Sequence, residues 1–148
     1  MTTNNLSLYI ASDHAGFALK ESLKQYIVSA HPNVQVHDLG TESENSVDYP
    51  DYGFKAANAV ATNAGSFGMV ICGSGIGISI AANRITGARA ALCSTEQMAR
   101  VSREHNNANM LALGARFIDD ATARACVDAF LTTDFAGGRH VGRVEKLG

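Results

Sequence analysis

Short apolar runs alternate with amphipathic stretches from one end of the chain to the other. The first apolar run is followed by a stretch whose apolar positions, from Phe17 to Ile27, recur with the period of a helix. Turn residues such as Pro32 separate the successive units. The pattern predicts strands over residues 6–11, 34–39, 67–72, 88–93 and 110–113. It predicts helices over residues 15–30, 51–63, 78–84, 94–103 and 119–131, and a short helix in the tail, 137–148.

This alternation predicts an α/β fold of Rossmann-like type, a three-layer sandwich with a five-stranded parallel sheet and helices on both faces. The run 67–72 is continuously apolar, which is typical of a strand buried on both faces. Residues 40–50 are polar and rich in turn formers, which predicts a surface loop, and Asp51 is the expected N-cap of the next helix. The length of 148 residues fits a single domain over residues 1–148.

Composition narrows the class of protein. Hydrophobic residues are 46% and charged residues 18% of the chain, which is ordinary for a globular protein. No apolar stretch approaches the ~18–20 residues of a membrane span, so no membrane partner is expected. The polar residues 1–5 carry no basic segment, and we expect no signal peptide. Three cysteines without metal spacing favour a cytoplasmic protein that binds no metal. A net charge of −2 argues against a nucleic-acid partner.

Charge is distributed unevenly along the chain. Residues 1–74 contain three basic and seven acidic residues, whereas residues 75–148 contain nine and seven, including all eight arginines. Solvated helix faces account for most of these arginines. Arg139 and Arg143 are four apart, so a helical tail would place both on one face. Together with Arg116 after the fifth strand, they are candidates for binding a dianion.

In sheets of this kind, ligands bind outside the carboxyl ends of the strands. The sharpest feature there is the run Cys72-Gly-Ser-Gly-Ile-Gly77, directly after the third strand. Small residues let amide groups turn toward a ligand, and the N-terminus of the following helix favours negative charge. The run is neither a dinucleotide fingerprint nor a P-loop. It is either a cradle for a phosphate or oxyanion or simply a tight turn.

Several side chains near the strand ends carry candidate chemistry. Cys72, before the N-terminus of a helix, is either a thiolate base or nucleophile or an inert buried thiol. Cys93 and Cys126 lie in apolar patterns and are expected in the core. Asp13 and His14 follow the first strand and are suited to acid–base work or phosphate binding, unless Asp13 merely caps the next helix.

Five segments in register resemble ribose-5-phosphate isomerase type B, a family that also holds galactose-6-phosphate and allose-6-phosphate isomerases. They span nearly the whole chain in order. The fourth contains His105, whose polar surroundings by themselves favour a surface loop. The segments are Asp13-His-Ala-Gly-Phe, Asp48-Tyr-Pro, Cys72-Gly-Ser-Gly-Ile-Gly-Ile-Ser-Ile-Ala-Ala-Asn-Arg84, Glu104-His-Asn-Asn-Ala-Asn109 and Gly137-Gly-Arg-His-x-x-Arg143.

The resemblance implies an intramolecular oxidoreductase that interconverts D-ribose 5-phosphate and D-ribulose 5-phosphate in the non-oxidative pentose phosphate pathway. The reaction would pass through a cis-enediolate without metal or organic cofactor. Cys72 would be the general base, since position 78, where one branch of the family has a glutamate, is Ile78. The glycine loop with Ser74 would hold the enediolate, and Asp13 and His105 would open and hold the furanose ring.

The resemblance also implies a set of substrate-binding residues and a mode of assembly. We expect a homodimer, often paired further into a tetramer in this family, with each active site built from two chains. The substrate-binding residues would be His14, Tyr49, Gly73, Gly75, Gly77, Asn106, Arg116, Arg139 and Arg143.

Two other functions stay open at this level. The first is isomerisation of another aldose phosphate, such as allose 6-phosphate or galactose 6-phosphate. The second is a non-catalytic Rossmann-like domain that binds nucleotides, although the chain lacks the dinucleotide fingerprint and the P-loop.

Overall fold

A computed structural model describes residues 5–148; residues 1–4, on which the expected absence of a signal peptide partly rests, lie outside the described part. The strands are β1 (Leu6–Ser12), β2 (Val34–Asp38), β3 (Phe67–Cys72), β4 (Ala90–Leu92) and β5 (Met110–Gly114). The helices are α1 (Phe17–Ala30), α2 (Tyr49–Thr62), α3 (Ile76–Asn83), α4 (Glu96–Asn106), α5 (Asp120–Thr132) and α6 (Val141–Glu145). A short 3-10 helix, Gly138–His140, leads into α6.

The five strands of residues 5–148 are all parallel and lie in the order β2-β1-β3-β5-β4, which confirms the predicted fold class. The chain adds β2 on one side of β1 and β3 on the other, so the connections diverge between β1 and β3. A crevice opens at such a point outside the carboxyl ends of the strands. Ser12 is aligned with Ile71, so Asp13 and Cys72 meet at this crevice.

The sheet is covered by one apolar cluster on each face. Helices α1, α4 and α5 pack on one face, and α2 and α3 on the other. Residues 68–72 of β3 are buried, which confirms the prediction of a strand enclosed on both sides. Cys93 and Cys126 belong to the first cluster, as expected. Within residues 5–148, no helix combines the length and apolar character needed to cross a membrane.

The edge strand β4 is shorter than the predicted span 88–93. Just before it, the amide of Arg89 donates to the side chain of Asn109 instead of to a strand. On the outer side of β4, the Asn83 side chain accepts the Ala90 amide at 2.8 Å and donates to the Ala90 carbonyl at 2.9 Å. Asn83 therefore takes the place of a neighbouring strand at this edge.

The second helix begins earlier than predicted. Helix α2 starts at Tyr49 after Asp48, because Pro50 fits the first turn of a helix, where no amide donor is needed. The prediction that Asp51 is the N-cap is therefore wrong. Asp51 lies in the first turn, where a negative charge complements the helix dipole. The loop before the helix shortens to residues 39–48.

Helices α3 and α4 also differ from their predicted bounds. Helix α3 begins at Ile76 instead of residue 78, because Gly75, with a φ of +78°, turns the chain directly into it. Helix α4 continues three residues past the predicted end, to Asn106, and is terminated by Asn107, whose φ is +45°. Polar side chains at this exposed end conceal the helical period. His105 therefore lies in the last turn of a helix rather than in a surface loop.

Candidate active site

The predicted site residues form two groups at opposite ends of the parallel strands. We call the side of the sheet where the strands end the carboxyl edge, and the side where they begin the amino edge. Helix α4 starts after β4 at the carboxyl edge and ends just before β5, at the amino edge. The two edges are on the order of 15 Å apart, which is the length of a five-residue strand. The carboxyl-edge group comprises Asp13, His14, Tyr49, Cys72, Gly73, Ser74, Gly75, Gly77 and Arg116. The amino-edge group comprises the predicted residues His105, Asn106, Arg139 and Arg143, and the structure adds His140 beside them.

Cys72 lies at the end of β3 and is only 5% exposed. Its Sγ accepts a hydrogen bond from the Gly75 amide at 3.2 Å. The loop needs glycine at position 75, because φ is positive and a Cβ would come within 2.5 Å of the Leu92 side chain. The Sγ atom therefore lies beside an amide donor, close to the N-terminus of α3.

The glycine loop offers further donors beside this thiol. The Ser74 hydroxyl accepts the Ile76 amide at 3.1 Å. The next amides, those of Gly77 and Ile78, belong to the first turn of α3 and have no intrahelical partner. These amides leave the loop a candidate cradle for an anion close to Sγ, and the cradle interpretation of the sequence stays a prediction.

Asp13 lies across the crevice from Cys72 and is 6% exposed. Its amide donates to the Ile71 carbonyl at 3.2 Å, which ties β1 to β3 at the base of the crevice. Its Oδ1 accepts the amide of Gly16, the residue before α1, at 3.0 Å. One carboxylate oxygen thus fixes the start of α1, and the other has no partner within the described residues.

His14 is oriented by the loop 39–48. The Val47 amide donates to its Nδ1 at 3.1 Å. Because Nδ1 is an acceptor, the neutral ring carries its proton on Nε2, which is then a donor for a ligand. The contact between His14 and Val47 therefore sets both the tautomer and the direction of the donor.

The loop 39–48 starts from an ion-pair cluster at the end of β2. The Lys20 ammonium is 1% exposed and donates to both oxygens of Asp38, at 2.8 and 2.7 Å. Lys24 also binds Asp38, and the Gly40 amide donates to the same carboxylate at 2.9 Å. Burial would raise the pKa of Asp38, but these hydrogen bonds outweigh burial and hold the pKa below its usual value.

Two exposed side chains rest on glycines of the carboxyl-edge group. The Arg116 guanidinium lies against Gly73, where a Cβ would come within 2.8 Å of Nη1. The Arg116 amide donates to the Gly73 carbonyl at 2.9 Å. The Tyr49 ring covers Gly77, where a Cβ would meet it at 2.6 Å. Both side chains therefore border the glycine loop, as a substrate-binding role requires.

The amino-edge group surrounds a cleft of about 380 Å³. The ring of His105 stacks on that of His140, with 4.5 Å between centroids and an angle of 14°. The pKa of His140 is lowered, first by partial burial and then by electrostatic repulsion from His105, Arg139 and Arg143. Arg139 and Arg143 line the same cleft, which confirms that the helical tail brings them to one face.

The arginines of both groups are available to bind an anion. Within residues 5–148, Arg100 is the one arginine that forms an ion pair with a carboxylate. Arg139 and Arg143 lie with His105 at the amino edge, whereas Arg116 lies at the carboxyl edge. The three guanidinium groups considered together in the sequence therefore do not converge within one chain.

Sequence reasoning missed three contributors to this arrangement. His140 lies inside a quoted motif, and its place between two candidate arginines was a usable signal. In the sequence, Lys20 and Arg103 resemble ordinary solvent-exposed charges on helix faces, yet both side chains are buried in the structure. Nothing in the local pattern distinguishes them from exposed residues.

Comparisons with known proteins agree with this geometry. The family model for Ribose/Galactose Isomerase matches residues 8–147. Ribose-5-phosphate isomerase B of Escherichia coli is 44% identical over 135 residues, which are 91% of this chain and 89% of that protein. A ribose 5-phosphate isomerase structure from Thermotoga maritima superimposes with a TM-score of 0.92 at 49% identity, covering 97% of this chain and 98% of that one. The Mycoplasma genitalium ribose-5-phosphate isomerase B, solved with bound ribulose-5-phosphate, gives a TM-score of 0.92 at 38% identity, covering 97% and 95%.

Proposed function

This chain belongs to the Ribose/Galactose Isomerase family of sugar phosphate isomerases, and we propose that it interconverts D-ribose 5-phosphate and D-ribulose 5-phosphate. The observation that carries the proposal is the Cys72 thiol, buried at a strand end and held by the Gly75 amide at 3.2 Å. A base in this position, beside unpaired amides, suits proton abstraction next to a carbonyl.

In the proposed reaction, the Cys72 thiolate removes the proton from C2 of the open-chain aldose. The electron pair of the broken C–H bond forms the C1–C2 double bond of a cis-enediolate, whose negative charge rests on oxygen. Amides of the glycine loop and the Ser74 hydroxyl stabilise that oxygen. The hydroxyl proton then passes from O2 to the neighbouring O1, and the electron pair left on O2 forms the C2 carbonyl as the thiol returns its proton to C1. These transfers give the ketose and restore the thiolate. No metal or organic cofactor is required.

Before this step the furanose ring must open, which requires a proton donor and an acceptor at the ring oxygen and the anomeric hydroxyl. We assign this work to Asp13 and His105, with Asn106 beside them. Asp13 has a free carboxylate oxygen in the crevice, and His105 lies in an open cleft with its ring exposed. His14 and Arg116 at one edge, and Arg139 and Arg143 at the other, would bind the phosphate.

These assignments require two copies of the chain, because the two groups lie at opposite edges of the sheet. In a symmetric dimer, each copy would supply its carboxyl-edge group to one site and its amino-edge group to the other. Large apolar side chains are exposed next to the glycine loop, which is the surface that such a partner would cover. They are Ile76 at 54%, Ile80 at 52%, Met98 at 45% and Phe117 at 75% exposure.

Mixed dimers test the proposed sharing of sites. Cys72→Ala and His105→Ala are each expected to be inactive alone. When the two variants are co-expressed, half of the dimers are mixed, and each mixed dimer contains one site without either substitution. Random pairing should therefore restore about a quarter of the wild-type turnover of ribose 5-phosphate.

The matched control pairs Cys72→Ala with Asp13→Ala. Both substitutions fall at the carboxyl edge, so every site of a mixed dimer contains one of them, and no activity should return. Recovery in the control, or none in the Cys72 and His105 pair, would contradict shared sites. A fully active monomer in sedimentation experiments would contradict them as well.

An alternative substrate, a hexose 6-phosphate, is supported by the family description, which covers galactose as well as ribose isomerases. Allose 6-phosphate and galactose 6-phosphate would place the same reacting carbons at Cys72 and differ in length. The ratio of kcat/KM for the three sugar phosphates decides between them. A lower value for ribose 5-phosphate than for either hexose phosphate would overturn the first choice.

A further inference from the structure

Arg103 is a buried cation that forms an ion pair with no carboxylate of residues 5–148. It is 6% exposed, and its guanidinium lies over the Phe67 ring at 4.6 Å and near the Phe130 ring at 5.8 Å. Within the described residues, no carboxylate comes within ion-pair distance of it. Burying a charge costs free energy unless its hydrogen bonds are satisfied. The hydrogen bonds that Arg103 donates therefore indicate its role.

Three acceptors from two segments of the chain surround this guanidinium. Its Nε donates to the Thr133 carbonyl, just after α5, at 3.0 Å. Its Nη1 donates to the Asn107 side chain at 3.0 Å and to the Ala108 carbonyl at 2.6 Å, between α4 and β5. The planar guanidinium fixes all three directions at once, which a lysine ammonium cannot reproduce. Arg103 thus joins the end of α4 to the start of the tail.

The tail has few other attachments. Among residues 5–148, two hydrogen bonds join residues 133–148 to the rest of the chain: the bond from Arg103 to Thr133, and the bond from the Ala136 amide to the Glu104 carbonyl at 3.0 Å. The stacked rings of His105 and His140 add one side-chain contact. All three attachments lead to the last turns of α4.

We infer that Arg103 is a positioning residue, which sets the tail arginines Arg139 and Arg143 at a fixed distance from His105 and Asn106. The inference rests on the proposed function, since it assigns Arg103 to the phosphate side of that site. Arg103 touches no substrate itself. It acts by holding the Thr133 carbonyl and the end of α4 in one unit.

A merely structural role makes a different prediction. The two phenylalanine rings and the aliphatic part of Arg103 contribute packing, and an apolar side chain of similar volume preserves most of it. If packing were the whole role, Arg103→Met would alter thermal stability without affecting the tail selectively.

Hydrogen exchange and steady-state kinetics on the full-length protein test the inference. Arg103→Lys and Arg103→Met are compared with Arg100→Lys, a matched control on the exposed face of the same helix. In both Arg103 variants, amide exchange should accelerate within residues 134–148 and stay unchanged in β3 and α5. The KM for ribose 5-phosphate should rise about tenfold, while kcat changes by less than about threefold. Arg100→Lys should change neither quantity.

The outcomes separate the possible failures. Exchange that is unchanged in the tail, or accelerated throughout the protein, would overturn the positioning role. Equal losses in kcat and kcat/KM with an unchanged KM would overturn it too. If the wild-type protein converts no sugar phosphate, the proposed function fails, and the exchange comparison still decides whether Arg103 positions the tail.

Discussion

The two edges of the sheet hold their candidate groups in different ways. At the carboxyl edge, Cys72 and Asp13 are buried and joined to the ends of β1 and β3 by backbone hydrogen bonds. At the amino edge, the side chains lie on the exposed end of α4 and on a tail with few attachments. Proton transfer needs an accurately placed base, whereas a phosphate is bound by charge over longer distances. The rigid edge is thus suited to the proposed proton abstraction by Cys72, and the looser edge to the proposed phosphate binding by Arg139 and Arg143.

The largest expected effect tests the rigid edge. Cys72→Ala should lower kcat by roughly 10²- to 10⁴-fold, because it removes the proposed general base. The melting temperature should change little, since the substitution removes a single sulfur atom. Retention of more than about a tenth of the wild-type kcat would mean that another group is the base.

Alkylation of the wild-type protein with iodoacetamide gives a parallel measurement. Burial raises the pKa of Cys93 to about 12 and that of Cys126 to about 11, so both thiols should be unreactive. Modification should therefore be confined to Cys72 and slowed by bound substrate. Equal labelling of Cys93 would contradict an activated Cys72.

A smaller effect is expected at the looser edge. Arg143→Ala removes a charged donor from the amino-edge cleft, and such hydrogen bonds contribute ~1.5–3 kcal/mol. The KM for ribose 5-phosphate should rise about 10- to 100-fold, with a weaker effect on kcat. Arg124→Ala, on α5 and away from the cleft, is the control. A loss confined to kcat would remove the proposed difference between the edges.

The smallest expected effect is a change in the pH dependence of stability. It concerns Asp38, whose ion pairs with Lys20 and Lys24 hold the start of the loop 39–48. The folded pKa of Asp38 is lowered, so its ion pairs stabilise the protein above the unfolded value of about 3.9. This contribution is lost as the pH falls through the lower, folded pKa. The free energy of unfolding should therefore fall between about pH 5 and about pH 2, and less steeply in Asp38→Asn.

Glu44→Gln, an exposed change in the loop that Asp38 anchors, is the matched control and should leave the pH dependence unaltered. An unchanged slope in Asp38→Asn would show that the cluster with Lys20 adds no pH-dependent stability. Denaturant titration at each pH provides the measurement.

Local patterns predicted the parts of the protein that depend on local sequence. Alternating apolar runs gave all five strands, and Asp119 and Thr95 begin their helices as expected. Cys72 could be singled out from the sequence, because both the end of an apolar strand and the run of small residues after it are visible in the local pattern. The end of α4 was missed, since its exposed turn carries polar side chains and no apolar period.

The separation of the carboxyl-edge group from the amino-edge group could not be predicted from local sequence. It depends on which edge of the sheet each connection reaches, and thus on the direction of α4 relative to β5. Arg103 and Lys20 were hidden for a related reason, because only tertiary packing distinguishes a buried cation from a solvated one.

The side chain of Asn83 at the outer edge of β4 has a consequence for how copies of the chain can associate. An unpaired strand edge is a template on which another chain can extend a sheet without limit. Here the amide and carbonyl of Ala90 are already satisfied by Asn83. A second copy would have to displace that side chain before it added a strand beside Ala90, so Asn83 hinders growth of the sheet in this direction.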